Sequence, residues 1–289
     1  MVSVVKRGAL GLVAMATFAW TSIAAADPST PEPAEPTASP PDASRAPDPA
    51  DIRTRVPNYA YAYTARGASA RTLGAQVYGL GVAGAGQKSI LGGGITVWGS
   101  PVDRLTIVGD GQRNQFGNFS PSLGVVVRIV GSDGDGWSVG GLGKFKVDGF
   151  GVRPGGRGTP PANPGEVEGE VEGGLLLSYA KRGGVHFDLN AVTGFGTGDD
   201  GEIDAEGRMR LGYDVSRSLR VGVDGQVRAR MNGPKYLPNG RIWDFAAGPQ
   251  AILGTKSFFG SLTAGPATMG LLSNAVGWNA IASVGGTTF

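Results

Sequence analysis

From Leu73 onward the chain consists of short segments in which apolar and polar residues alternate one by one. Residues 219–231, LRVGVDGQVRARM, place Leu and Val at odd positions and Arg, Asp and Gln at even positions. Because successive side chains of a β-strand point to opposite faces, this period of two predicts strands with one apolar and one polar face. The apolar face requires either a second packed sheet or surrounding lipid.

Twelve such segments follow one another, and an even number returns the chain to the side on which it began. Ten or fourteen strands are the alternative counts. The connections alternate between short and mostly longer ones, as in barrels with short periplasmic turns and long outer loops. The predicted strands are 73–83, 89–98, 104–110, 121–130, 137–148, 166–180, 185–195, 204–214, 219–231, 242–253, 258–270 and 277–289.

Residues 1–26 have the three parts of a secretory signal peptide. Lys6 and Arg7 precede an almost wholly apolar stretch, and Ala24-Ala25-Ala26 forms a small-residue cleavage site before Asp27. We expect this segment to direct export through the general secretory pathway and to be removed; a single membrane anchor is the alternative.

Residues 27–57 are rich in proline and small or acidic residues, which predicts an extended, disordered linker. The barrel domain is assigned to residues 58–289. Its first stretch is ambiguous, because Tyr59, Tyr61 and Tyr63 alternate and indicate either a strand or an interfacial segment leading into the barrel.

Charge and cysteine content exclude several classes of protein. Without the two leader bases, 24 basic residues stand against 24 acidic ones, so no cationic surface for nucleic acid is expected. The chain has no cysteine, which excludes disulfides and thiolate metal sites. No cofactor or metal is expected.

The position of the aromatic residues favours a membrane barrel over a soluble sandwich. No apolar run after Ala26 reaches the about 18 residues of a spanning helix, so a membrane-embedded chain of this kind must close a barrel to pair its backbone. Aromatics are expected in two bands near the strand ends, as in interfacial girdles. One band holds Trp98, Trp137, Tyr179, Tyr213, Phe258, Phe259 and Phe289, and the other Phe116, Phe119, Phe150, Phe195, Trp243 and Trp278.

With these features placed, residues 73–289 resemble the porin-like outer-membrane β-barrel proteins of Gram-negative bacteria. The leader, the alternation, the aromatic bands and the terminal Phe289 carry the resemblance. It implies an all-β, antiparallel transmembrane β-barrel in the cell outer membrane, in contact with lipid and lipopolysaccharide. It also implies that the barrel-assembly machinery reads Phe289 as a sorting signal.

Ionisable residues on the polar strand faces are expected to line the lumen. Three arrangements remain open: a satisfied ionic network in a filled barrel, a field across a water-filled constriction that sorts polar solutes, or, for residues 149–172, a solvated loop. The predicted lumen-lining charges are Lys144, Lys146, Glu166, Glu168, Glu170, Glu172, Arg208, Arg210, Arg228 and Arg230.

The function expected from these features is passive diffusion of small polar solutes through a porin-like channel. The alternative is a closed structural or interaction barrel that displays surface loops. An enzyme is not expected, because His186 is the only histidine and no serine stands in an evident nucleophile motif.

Overall fold

The computed structural model describes residues 56–83, 89–114, 119–131, 134–148, 168–181, 183–197, 203–231, 243–255, 257–269 and 273–288. These residues form twelve strands, and no predicted strand bound is more than four residues off. The strands are β1 (Thr72–Ala83), β2 (Ile90–Val102), β3 (Leu105–Asn114), β4 (Phe119–Gly131), β5 (Gly136–Asp148), β6 (Glu168–Ala180), β7 (Val185–Gly196), β8 (Ile203–Asp214), β9 (Leu219–Arg230), β10 (Trp243–Gly254), β11 (Phe258–Met269) and β12 (Ser273–Thr288).

The strands close into one antiparallel barrel in which each strand pairs with its neighbours in the sequence. The ring closes between β1 and β12, whose register runs from Leu73 opposite Thr288 to Ala83 opposite Trp278. The predicted all-β, 12-stranded barrel is therefore confirmed. In the described residues, no helix is long and apolar enough to cross a membrane.

The two faces of the wall differ as the alternation predicts. Large apolar side chains point outward, with exposed fractions of 61% for Val77, 66% for Leu175 and 67% for Val284. Polar side chains such as Gln76 and Asn190 are buried on the inner face. An outer surface of this composition fits lipid as its solvent, with the polar groups turned to the lumen.

The two ends of the barrel are distinguished by their connections. Short links join β2–β3, β4–β5, β6–β7, β8–β9 and β10–β11 at one end, where β1 also begins and β12 finishes. We call this the turn end and the opposite one the loop end. Short turns are periplasmic in bacterial barrels, so we expect the turn end to face the periplasm.

Two aromatics predicted for the turn-end girdle point inward. Trp137 and Phe258 are exposed on the outer face as expected, whereas Trp98 and Phe259 are only 1% and 3% exposed. The prediction was wrong for this inner pair because the lumen holds a partner for them, which strand alternation alone does not reveal.

Candidate functional site in the barrel lumen

Residues 56–68 lie inside the barrel and residues 69–71 connect them to β1; we call the segment 56–71 the plug. It forms a small hairpin, in which Asn58 pairs with Tyr63 and the Thr64 amide donates to the Pro57 carbonyl at 2.9 Å. Its last residue, Arg71, leads directly into β1 at the turn end. Val56 and Pro57, at the end of the predicted linker, are already buried in the lumen.

The base of the plug packs against apolar side chains near the turn end. Tyr59 stands edge-on to Phe259, with ring centroids 5.2 Å apart. Burying this much apolar and aromatic surface is strongly favourable, since each large side chain contributes about 1.5–3 kcal/mol. We call this cluster the seal; it consists of Val56, Tyr59, Ala68, Trp98, Val108, Ile252 and Phe259.

The tip of the plug is held on its other side by hydrogen bonds to the wall. The Tyr63 amide donates to Asn190 Oδ1 at 2.7 Å, and Asn190 Nδ2 donates to the Tyr63 carbonyl at 2.8 Å. The Ala65 amide donates to Ser178 Oγ at 2.7 Å, and the Thr64 and Ser178 hydroxyls lie 3.3 Å apart. We call these contacts with β6 and β7 the latch.

Two tyrosines extend from the tip toward different walls. Tyr61 packs against Ala246 and Ala267 on β10 and β11. Tyr63 packs against Leu142 and Leu176 on β5 and β6. Both rings are buried against the barrel wall, so the plug fills the middle of the lumen at this level.

Toward the loop end from Tyr63, the lumen wall carries a group of charges that we call the charged chamber. It occupies one arc, β5, β6, β8 and β9, because these strands place ionisable residues at inward positions. The chamber consists of Lys144, Lys146, Glu170, Glu172, Asp204, Glu206, Arg208 and Arg228.

The chamber charges pair along the wall rather than across the lumen. Lys146 Nζ lies 3.6 Å from Glu170 and Lys144 Nζ 3.7 Å from Glu172, in each case on the adjacent strand. Side-chain exposure reaches 27% for Lys146 and 37% for Arg228. These two lysine pairs are therefore long and partly hydrated, whereas the arginines are held more closely, Arg208 by Glu206 at 2.5 Å and Arg228 by Asp204.

A glycine on β7 allows the chamber to extend across that strand. A Cβ added at Gly194 would lie 2.5 Å from Glu170 Oε1. Without it, the Glu170 carboxylate leans over β7 and comes within 4.0 Å of Arg228 on β9. Gly194 thus links the lysine side of the chamber to its arginine side.

A second set of ion pairs lies beside the plug, closer to the turn end, and is short and buried. Arg210 donates twice to Asp188 Oδ2, at 2.6 and 2.9 Å, and its guanidinium stacks 5.2 Å from the Tyr59 ring centroid. Arg220 Nε donates to Asp214 at 2.8 Å. These side chains are 4–7% exposed, so this level of the arc is a buried ionic network.

A small cavity separates the plug from this network. It has a volume of about 30 Å³ and lies between Thr64 and Arg66 of the plug and Asp188, Arg210 and Arg220 of the wall. A space of this size accommodates a water molecule, which needs about 10–15 Å³ by this measure. The gap is too small for a solute larger than water.

Seven of the ten predicted lumen charges are placed inside the barrel with their side chains described. Glu168 and Arg230 lie in β6 and β9, where only their backbone is described, and Glu166 and Phe289 lie outside the described residues. The seven are Lys144, Lys146, Glu170, Glu172, Arg208, Arg210 and Arg228.

The predicted set of lumen charges omitted Asp188, Asp204 and Arg220, although alternation places all three at inward positions of predicted strands. The plug was not predicted. The three alternating tyrosines were the visible signal of the plug. Within the described part of the chain, no cluster of His, Cys, Asp and Glu is arranged to hold a metal ion.

No protein-family model matches the chain, and no curated protein matches it significantly. Among solved structures, the barrel resembles the NanC porin with a TM-score of 0.56 and 10% identity, over 73% of this chain and 98% of that one. The COG4313 outer membrane channel from Pseudomonas putida F1 gives a TM-score of 0.49 and 10% identity, over 81% and 100%.

The KdgM porin, solved in complex with disordered oligogalacturonate, gives a TM-score of 0.47 and 7% identity, over 74% and 99%. At these identities, the likeness concerns the fold. The protein is a closed antiparallel β-barrel with the fold of the outer-membrane porins.

Proposed function

We propose that the protein is a porin-like channel for the passive diffusion of small polar solutes across the outer membrane. The observation that carries this proposal is the lysine side of the charged chamber. Lys144 and Lys146 lie 3.7 and 3.6 Å from their carboxylate partners, and their side chains are 17% and 27% exposed. Hydrated, loosely paired charges do not stabilise a barrel whose lumen is simply a filled core. In a chamber that admits solutes, such charges replace the hydration water that a polar solute loses on entry.

The test is the conductance of the full mature chain in a planar bilayer, together with its ion selectivity. Lys146→Glu adds negative charge to the chamber and should shift the reversal potential toward cations. Lys181→Glu makes the same change in the β6–β7 turn, where the residue is exposed outside the lumen, and should leave selectivity nearly unchanged. Equal effects of the two variants would contradict a solute path through the chamber.

A second candidate is a closed structural or interaction barrel that displays its loops. The specific observation in its favour is the plug, which fills the middle of the lumen. Complete absence of conductance in the parent protein, with the barrel shown to be folded, would favour this candidate.

Other parts of the expected biology remain proposals. Export is proposed to follow the general secretory pathway, with removal of residues 1–26. Lipid and lipopolysaccharide are the proposed partners of the outer face, and the barrel-assembly machinery is the proposed reader of Phe289.

A further inference from the structure

The plug divides the turn-end half of the lumen into two unlike sides. On the side of β2, β3, β10 and β11, the contacts are mainly the apolar ones of the seal. Two hydrogen bonds lie beside them: the Ala68 amide donates to Thr106 Oγ1 at 2.8 Å, and Ser100 Oγ donates to the Ala68 carbonyl at 3.0 Å. On the side of β7, β8 and β9, the cavity and the buried ion pairs lie between them.

The two sides also differ in how readily water can replace the contacts between plug and wall. The latch consists of hydrogen bonds to neutral side chains, and water can supply equivalent bonds when they open. Water offers no equivalent for the apolar contacts of Val56, Tyr59 and Phe259 in the seal. An opening motion therefore separates the latch before it separates the seal.

The polar side is continuous with the charged chamber. Arg208, in the chamber, and Arg210, beside the plug, occupy successive inward positions of β8. Asn190 on β7 is the direct pairing partner of Arg208 and lies at its level. A solute leaving the chamber along this arc meets Asn190 first, and then Ser178 and the Arg210–Asp188 pair, which lie at one level.

We propose that solutes pass the plug along β7–β9, with the latch as the gate and the Arg210–Asp188 pair as the constriction that determines which polar solutes pass. This inference rests on the proposed channel function and specifies its path. The base of the plug stays in the seal, and the Tyr61 and Ala62 amides stay bound to the Asp224 carboxylate on β9. Residues 63–65 move away from Ser178 and Asn190. A juxtaposed cation and anion at the narrowest level favour solutes that carry both hydrogen-bond donors and acceptors.

The absence of native cysteine allows the two sides to be cross-linked separately. Thr64→Cys with Ser178→Cys locks the latch, because the two hydroxyl oxygens already lie 3.3 Å apart and a disulfide needs only a short further approach. Ala68→Cys with Ser100→Cys is the matched control and locks the plug on the seal side, where Ser100 Oγ contacts the Ala68 carbonyl.

We expect the latch cross-link to lower single-channel conductance at least tenfold and reduction to restore it, whereas the seal cross-link changes conductance less than twofold. Equal loss with both cross-links would show that the whole plug must leave and would overturn the path. Full conductance with the latch locked would also overturn it, while leaving the channel intact. A folded parent that never conducts refutes the channel and the path together.

If the Thr64→Cys, Ser178→Cys double variant does not fold, a single variant provides the test. Thr64→Cys alone places a thiol at the cavity, and a methanethiosulfonate reagent should react with it and reduce conductance as the gate opens. The Ala68 side chain is 3% exposed in the seal, so a cysteine at this position should remain unmodified in the Ala68→Cys variant. Modification of Ala68→Cys with an unreactive Thr64→Cys would reverse the assignment of the two sides.

Discussion

At the residue scale, one lumen contains ion pairs of two kinds. Arg210 and Asp188 are 2.6 Å apart with side chains 5–6% exposed, whereas Lys146 and Glu170 are 3.6 Å apart and partly hydrated. Losing one partner of a buried pair leaves an uncompensated charge at a cost of about 3–5 kcal/mol. An exposed pair is worth about 0.2–1 kcal/mol.

We therefore expect Arg210→Gln to lower the free energy of unfolding by about 3–5 kcal/mol, because Asp188 would lose its charged partner. Lys146→Gln is the control and should cost less than about 1 kcal/mol. Urea unfolding in lipid vesicles, followed by the folded and unfolded bands on an unheated gel, measures both. Similar losses for the two variants would mean that the ion pairs beside the plug are as hydrated as those of the charged chamber.

At the element scale, the strands were predictable and the plug was not. A strand shows its two faces in its own sequence, so β7 and β9 could be located to within a residue. The plug is defined by contacts far along the chain, such as Tyr63 with Asn190, 127 residues away. No local pattern encodes such a partner, and proline-rich composition up to Pro57 indicated a linker instead.

The same distinction applies to the lumen charges. Alternation indicated that Glu170, Glu172 and Arg228 face inward. It could not indicate their partners, because these depend on strand register and on the room that Gly194 provides for Glu170. The pairing of charges along the wall could therefore be recognised only from the strand register in the structure.

Removing residues 27–71 tests the plug as an element. We expect the barrel still to form, because its backbone pairing lies between strands, and the single-channel conductance to rise several-fold as the lumen fills with water. Thermal stability should fall, since Trp98 and Phe259 would then face water in the lumen. Planar-bilayer recordings and the temperature of the gel-mobility shift measure these effects.

Unchanged conductance in the folded truncated barrel would mean that the plug does not limit ion flow. A parent with no conductance and a truncated form that conducts well would identify the plug as the sole barrier.

At the scale of the whole molecule, the turn end and loop end define an orientation in the membrane. A peptide tag inserted between Gly155 and Gly156, in the β5–β6 connection, should be labelled on intact cells because that connection belongs to the loop end. The same tag after Arg217, in the β8–β9 turn, should be labelled only after the outer membrane is opened. The reverse pattern would invert the barrel.

The position of the seal has a mechanical consequence. The chain preceding the plug joins it at Val56, which is 1% exposed among the apolar side chains of the seal. Tension applied at Val56 by the preceding chain would load Val56 and Tyr59 in the seal. It would also reach the tip through the Asn58–Tyr63 pairing and the Thr64–Pro57 hydrogen bond. The seal and the hairpin therefore resist such a load together, and a pull that displaces Val56 would also strain the hydrogen bonds of the latch.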